Sequence, residues 1–358
     1  ESELLIVAVL GVGLVGGSVG LAARERLGAE VRGYDAAPGV LERALEHGAI
    51  STACASAADA LAGAEAAFVA APVRVLPGVV GEALAAAGPQ CVVTDVGSTK
   101  RELVAAVEDR RFIGGHPLAG AETAGVEHSR AGLFEGATWY LTPTSRTEGV
   151  LYDRLYRLLA DLGARPAAID AETHDRLMAS VSHLPHVLAN VLVAQAARAL
   201  ESERLPPTGP SFRDATRVAG ASTAIWGDIY LSNADALVAA IDDTVRRLGE
   251  VREALAGRDE LGVTRWNEAA GEDRRRLLEA DLAGGEVVEL RVSVPNRPGV
   301  VADVALALGR ASVNIADMAL YPAADNTTGS IALWIAGDAD ASEAERLIGA
   351  LGFTVARP

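Results

Sequence analysis

Gly11-Val12-Gly13-Leu14-Val15-Gly16 decides the fold. These residues follow the apolar run Leu4–Leu10 and open a stretch with helical character. Strand, tight turn and helix in that order begin a dinucleotide-binding domain. The first glycine permits the turn. The second lets a pyrophosphate approach backbone N–H groups at the positive end of a helix. Gly11, Gly13, Leu14, Val15 and Gly16 are therefore the expected cofactor contacts. Asp35 lies at the end of the next apolar run, Glu30–Tyr34, where a carboxylate can accept hydrogen bonds from both ribose hydroxyls. It also repels a 2′-phosphate, and Ala36-Ala37-Pro38 offers no arginine to accept one. The expected cofactor is NAD rather than NADP.

Outward from this turn, short apolar runs alternate with helical patterns. Expected strands are Leu4–Leu10, Glu30–Tyr34, Ala66–Ala71, Cys91–Val96, Phe112–Gly114 and Thr138–Leu141. Such alternation reads as an α/β domain, a parallel sheet covered on both faces. After Asp170 the strand signal stops. Helical periods replace it at Met178–Leu200, Ala234–Ala256 and Glu272–Leu282, with a proline-rich break at Leu205–Ser211. Beyond Gly284-Gly285 the order becomes βαββαβ, a ferredoxin-like unit. Three domains are expected: a Rossmann-type domain over 1–168, an all-helical domain over 169–284 and a small mixed domain over 286–358.

Composition narrows the function. Of 358 residues, 32 are basic and 48 acidic, a net charge of −16. An acidic surface repels nucleic acid and anionic membranes, so neither is an expected partner. The uncharged run Leu4–Ala23 is long enough to span a bilayer, but its flank is acidic and it holds five glycines. It is better read as strand, turn and helix. Two cysteines, Cys54 and Cys91, cannot form a disulfide framework and have no metal-ligand spacing. The expected setting is a reducing cytoplasm, with no bound metal. Lys100 is the single lysine, read as a trait of composition.

Further motifs carry chemistry. Asp95-Val-Gly-Ser98-Thr-Lys100 falls where a strand ends and a helix begins, the edge at which open α/β sheets bind ligands. Ser98 reads equally well as a plain helix cap. Gly114-Gly-His116-Pro-Leu-Ala-Gly120 places a histidine among glycines, in an expected loop facing the cleft. Neutral imidazole suits a dehydrogenase, which must accept a hydroxyl proton as hydride leaves. On the first long helix, Ser182 and His186 are four apart and share a face unless Pro185 distorts it. His183 and His186 hint at a metal, but no third ligand has convincing spacing. Phe212-Arg213-Asp214-Ala-Thr-Arg217 offers guanidinium groups, which match a carboxylate bidentately or form an intersubunit ion pair.

Together these residues resemble the prephenate/arogenate dehydrogenase family of tyrosine biosynthesis. Gly11-Val-Gly-Leu-Val-Gly-Gly-Ser18, Asp95-Val-Gly-Ser98-Thr-Lys100, Gly115-His116-Pro-Leu-Ala-Gly120, Ser182-His-Leu-Pro-His186 and Phe212-Arg-Asp-Ala-Thr-Arg217 stand in the family's order across nearly the whole chain. The terminal unit, with Pro295-Asn296-Arg-Pro298-Gly299 and Asn314-Ile315, resembles an ACT domain. The resemblance implies NAD-dependent oxidative decarboxylation of prephenate to 4-hydroxyphenylpyruvate. It implies His116 as the catalytic group, oriented by Ser98, with Asp95 among the cofactor contacts. It places Arg217 on a substrate carboxylate and His186 with Ser182 at the side-chain end. Glu122, His174 and Trp226 complete the implied pocket. It also implies a homodimer through the helical domain, and tyrosine as effector at Asn296, Pro298, Gly299 and Asn314. Three alternatives stand beside it. Arogenate dehydrogenase shares every motif. A hydroxy-acid dehydrogenase of the 6-phosphogluconate-dehydrogenase-like group commonly relies on a lysine on the helical side, where this chain has none. A non-enzymatic amino-acid sensor is disfavoured by intact Ser98, His116 and Arg217.

Overall fold

The computed structural model describes residues 4–120, 123–199, 208–281, 287–295, 315–323 and 328–358, with 300, 303, 304, 307, 308, 311 and 313. The chain forms two compact units, Glu1–Val245 and Arg246–Pro358. In the first, eight strands build one sheet: β1 (Ile6–Leu10), β2 (Glu30–Tyr34), β3 (Thr52–Ala53), β4 (Ala66–Val69), β5 (Val92–Asp95), β6 (Phe112–Pro117), β7 (Thr138–Thr142) and β8 (Arg165–Ala168). Their order is β3-β2-β1-β4-β5-β6-β7-β8. The first six strands are parallel and reverse direction of travel at β1, which leaves a crevice at the carboxyl ends of β1 and β4. The sheet is not parallel throughout, because β7 runs antiparallel to β6. The short β3 and the proline-containing β8 lie outside the strands expected from the sequence.

Alternation along each strand explains the two covered faces. Val7 and Val9 join one apolar core with Val31, Phe68, Trp139 and Leu155. Ala8 and Leu10 join the other with Val69, Leu76, Val80 and Val93. The uncharged run Leu4–Ala23 is thus buried strand, turn and helix Leu14–Leu27. After β8 the unit turns helical. Asp170 caps helix Ala171–Met178 by accepting from Thr173 N–H at 2.8 Å. A π-helical turn, Ala179–His183, then leads into helix Leu184–Ala199. Pro185 follows at once; with no N–H to give the preceding turn, it favours a register change there. Helices Pro210–Thr216, Thr223–Ser232 and Ala234–Ala256 follow, the last running past Val245.

The second unit holds helix Glu260–Asp281 and a four-stranded antiparallel sheet. Its strands are β9 (Val287–Pro295), β10 (Ile315–Pro322), β11 (Thr328–Ala336) and β12 (Thr354–Ala356), ordered β10-β11-β9-β12. Leu290, Val292, Ile331 and Leu333 form its core with Ile348 of helix Asp338–Ala350 and with Val300, Val304 and Leu308. This strand order is that of a ferredoxin-like unit. Asn296, Pro298, Gly299 and Asn314, the expected effector contacts, lie outside the described residues.

Candidate active site

The turn at Gly11 has the shape that a dinucleotide requires. Gly11 has φ +93°, and a Cβ there would stand 2.2 Å from the Ala70 carbonyl oxygen. A Cβ on Gly16 would meet the Gly11 oxygen at 2.0 Å. Both positions therefore demand glycine. Gly13 differs, because nothing lies within 4 Å of its missing side chain. That opening faces the start of helix Leu14–Leu27, whose first turn carries neither a side-chain cap nor an acidic residue. The N–H groups of Leu14 and Val15 are thus left for an anion. Asp35 is held ready: one carboxylate oxygen accepts from Val12 N–H and the other from Ala37 N–H, each at 2.8 Å. The residues expected for a diphosphate and a ribose converge here and fit a dinucleotide.

Asp95 and Lys100 occupy different roles from those expected. Both side chains are fully buried and form an ion pair. The Asp95 carboxylate also accepts from Gly97 N–H at 2.8 Å and Gly115 N–H at 3.0 Å. With its oxygens so engaged, Asp95 cannot serve as a side-chain contact to cofactor. It clamps the end of β5 to β6. Ser98, half-buried in the following turn, makes no hydrogen bond to another described residue. Nor does it cap the next helix. The carboxylate of Asp175 does, accepting from Lys100 N–H at 2.8 Å and Arg101 N–H at 2.9 Å, at the start of helix Arg101–Ala106.

His116 lies within β6 rather than in a loop, paired in register with Tyr140 of β7. The preceding glycines explain how it gets there. A Cβ on Gly115 would stand 2.6 Å from both the Asp95 carbonyl oxygen and Thr94 Oγ1. Only a bare backbone brings β6 that close to β5. His116 Nδ1 lies 2.9 Å from Nε2 of His174, and His174 Nδ1 lies 2.8 Å from Asp175 Oδ1. The orienting partner of His116 is therefore His174 and not Ser98. His174 is wholly buried, edge-on to Tyr140. Burial, reinforced by the neighbouring His174, Lys100 and His183, holds His116 well below the ordinary imidazole range. It is neutral at pH 7. Burial pushes Asp175 upward, yet hydrogen bonds from His174, Arg101 and Lys100 outweigh it and keep the carboxyl below its usual range.

The helical residues arrange themselves around the π turn. His183 is buried and receives a hydrogen bond at 3.2 Å from Asn233 Nδ2, which also donates to the Asp175 carbonyl at 2.7 Å. Burial pushes His183 down to about 4. His186 stacks on Trp226, ring centroids 3.5 Å apart and planes 23° apart, while His183 meets the same indole edge-on at 6.1 Å. The inward pair is thus His183 and His186, and Ser182 is half-buried, because the wider turn rotates the face predicted from α spacing. Arg217, at the end of helix Pro210–Thr216, is exposed. Glu122 lies outside the described residues. Sequence reading missed Asp175 and Asn233. A signal existed for the first: an acidic residue beside a histidine on the buried stripe of an amphipathic helix.

Comparison with known proteins adds the family. Residues 19–167 match the profile "Prephenate dehydrogenase, nucleotide-binding domain" and residues 170–267 match "Prephenate dehydrogenase, dimerization domain". The prephenate dehydrogenase of Bacillus subtilis (strain 168) is 30% identical over 96% of this chain and 95% of its own length. The cyclohexadienyl dehydrogenase of Zymomonas mobilis is 32% identical over 71% of this chain and 89% of its own. The crystal structure of prephenate dehydrogenase from A. aeolicus, in complex with hydroxyphenyl propionate and NAD+, superposes with a TM-score of 0.73 at 29% identity. It covers 77% of this chain and 100% of that one.

Proposed function

The chain belongs to the prephenate dehydrogenase family, and on that premise we propose that it oxidises and decarboxylates prephenate with NAD, giving 4-hydroxyphenylpyruvate for tyrosine synthesis. The observation that carries this reading is a neutral, half-buried His116 held by His174, in the same unit as a preformed dinucleotide turn. Bound NAD supplies the hydride acceptor. The chain's residues do the rest. Gly13, Leu14 and Val15 receive the diphosphate and Asp35 the ribose. His116 Nε2 accepts the hydroxyl proton as the carbon–hydrogen bond electrons leave, so the carbinol becomes a ketone. The ring carboxylate then departs as carbon dioxide and the ring becomes aromatic. Ser98 offers its hydroxyl to the substrate, Arg217 binds a carboxylate with Glu122 as the acidic residue that pairs with that arginine in family members, and Ser182, His186 and Trp226 line the side-chain end. The test is NADH formation with prephenate and with arogenate, side by side. Turnover of prephenate is the expected result; turnover of arogenate alone makes the chain an arogenate dehydrogenase, and turnover of neither refutes the reading.

Asp35 sets the cofactor. Asp35→Ser should weaken NAD binding and narrow its advantage over NADP, because the ribose loses an acceptor and a 2′-phosphate loses a repelling neighbour. Fluorescence titration of both cofactors measures it; parent enzyme that already prefers NADP overturns the assignment.

The domain reading is a dinucleotide domain at 1–168, a helical domain at 169–284 and an ACT-like domain at 286–358. A homodimer through the helices is supported by Val181, Val191, Leu192, Val193 and Ile225, apolar side chains that a single chain leaves exposed. The run Ala171–Arg198 has the length and composition of a membrane span. Its inner face nevertheless buries His174, Asp175 and His183, and a second copy is the occupant assigned to its apolar side. Two free, buried cysteines agree with a reducing cytoplasm; burial pushes the Cys91 thiol up to about 11. The ferredoxin-like topology of the second unit supports tyrosine as effector. Calorimetric titration of tyrosine into the full chain, with and without prephenate, should show binding that prephenate does not displace. Simple competition would place tyrosine in the active site.

A further inference from the structure

Asp175 touches three things at once. Its Oδ1 accepts from His174 Nδ1 and from Lys100 N–H, and its Oδ2 accepts from Arg101 N–H. A carboxylate only accepts, so His174 Nδ1 must carry a proton. With one proton on that ring, His174 Nε2 is an acceptor. Its partner 2.9 Å away, His116 Nδ1, must then be the donor. A neutral His116 with its proton on Nδ1 has its lone pair on Nε2, which no described residue engages.

We propose that His174 and Asp175 are positioning residues: together they fix the proton of His116 on Nδ1 and keep the Nε2 lone pair turned to the substrate hydroxyl. The chain of bonds runs Asp175 carboxylate, His174, His116, substrate. In free aqueous imidazole the proton moves freely between the two nitrogens; here the second ring decides which one holds it. When Nε2 takes the hydroxyl proton, His116 becomes an imidazolium. Its Nδ1–H already points at His174 Nε2, and the positive charge develops two hydrogen bonds away from a buried carboxylate. No proton need leave His174. Asp175 adds a second effect, because the same carboxylate anchors the amides just past Ser98. One side chain therefore places both the base and the turn that bears Ser98. Asn233 supports the arrangement from behind, through the Asp175 carbonyl and His183.

This inference rests on the dehydrogenase reading only for the identity of the hydroxyl; the proton positions are a property of the free protein. The chain has six histidines, so long-range proton–nitrogen correlation spectra of the full chain labelled with nitrogen-15 histidine can assign each ring. Above neutral pH, His116 should show a protonated Nδ1 and a bare Nε2, and His174 a protonated Nδ1. His174→Leu removes the acceptor. His116 should then move its proton to Nε2, and kcat should fall roughly 10–100-fold with little change in KM or NAD affinity. His174→Gln returns a carbonyl acceptor and should restore both the Nδ1 proton and most of kcat. A purely structural role would lower thermal stability in both variants without a rescue by glutamine. Overturning results are a protonated Nε2 on His116 in the parent chain, or His174→Leu with unchanged kcat. If His174→Leu does not fold, the parent spectrum and His174→Gln decide alone. If neither prephenate nor arogenate is turned over, the spectra still test the relay, and only the substrate reading falls.

Discussion

Replacing His116 by Asn is expected to lower kcat by about 10²–10⁴-fold, the range that general-base catalysis supplies. Asparagine is a demanding test because it keeps one link. Its amide N–H can occupy the place of Nδ1 and still donate to His174 Nε2, so the pocket need not rearrange. What it lacks is any atom at the position of Nε2. The hydroxyl proton then has no acceptor as hydride departs. NAD binding should stay within about twofold of the parent, since the glycine turn and Asp35 form a separate set of contacts. Steady-state rates with saturating prephenate, paired with a cofactor titration, measure both numbers. Near-parent kcat would remove His116 from the mechanism.

Lys100→Met should cost the first unit about 3–5 kcal/mol, the penalty for stranding a buried charge. Both partners of the Lys100–Asp95 pair are sealed from solvent. Removing the ammonium leaves the carboxylate with the amides of Gly97 and Gly115 and no counter-charge. Methionine fills nearly the same volume, so packing contributes little to the loss. Pairing it with Asp95→Asn should recover much of the stability, because the uncompensated charge is then gone. Urea unfolding followed by fluorescence reads the difference, with four tryptophans as reporters. A single variant within 1 kcal/mol of the parent would falsify the view that this pair holds β5 against β6.

What the sequence made legible was local. The glycine turn, Asp35 and the six strands of the first sheet other than β3 and β8 are contiguous patterns, each readable within a dozen residues. The short β3, at Thr52–Ala53, has too few residues to show a period. β8 begins Arg165-Pro166, which argues against a strand, and its position at the sheet edge is what makes proline tolerable. The antiparallel β7 looks like any other apolar run. At the site, His116 was readable because glycines flank it. Its true partner was not, because His174 lies on a helix beyond the sheet and only the packing of that helix against β6 joins them. Ser98 looked like both cap and orienting group; Asp175 holds the first role and His174 the second. On the helix, α spacing selected Ser182, whereas the π turn put His183 inward.

The buried pair also leaves a mark on the protein's covalent chemistry. Lys100 carries the chain's single ε-amine, and in the folded state that amine is both paired with Asp95 and out of reach of solvent. Acylating reagents, which need an accessible free amine, therefore find no lysine on the native surface. Apart from Lys100, the Lys/Arg side chains are all arginines, whose guanidinium groups such reagents leave alone. A single modifiable lysine that appears only when β5 and β6 part turns mass-resolved acylation into a counter of opening events. Each labelled molecule records one excursion of the nucleotide-binding sheet, against no background from other lysines.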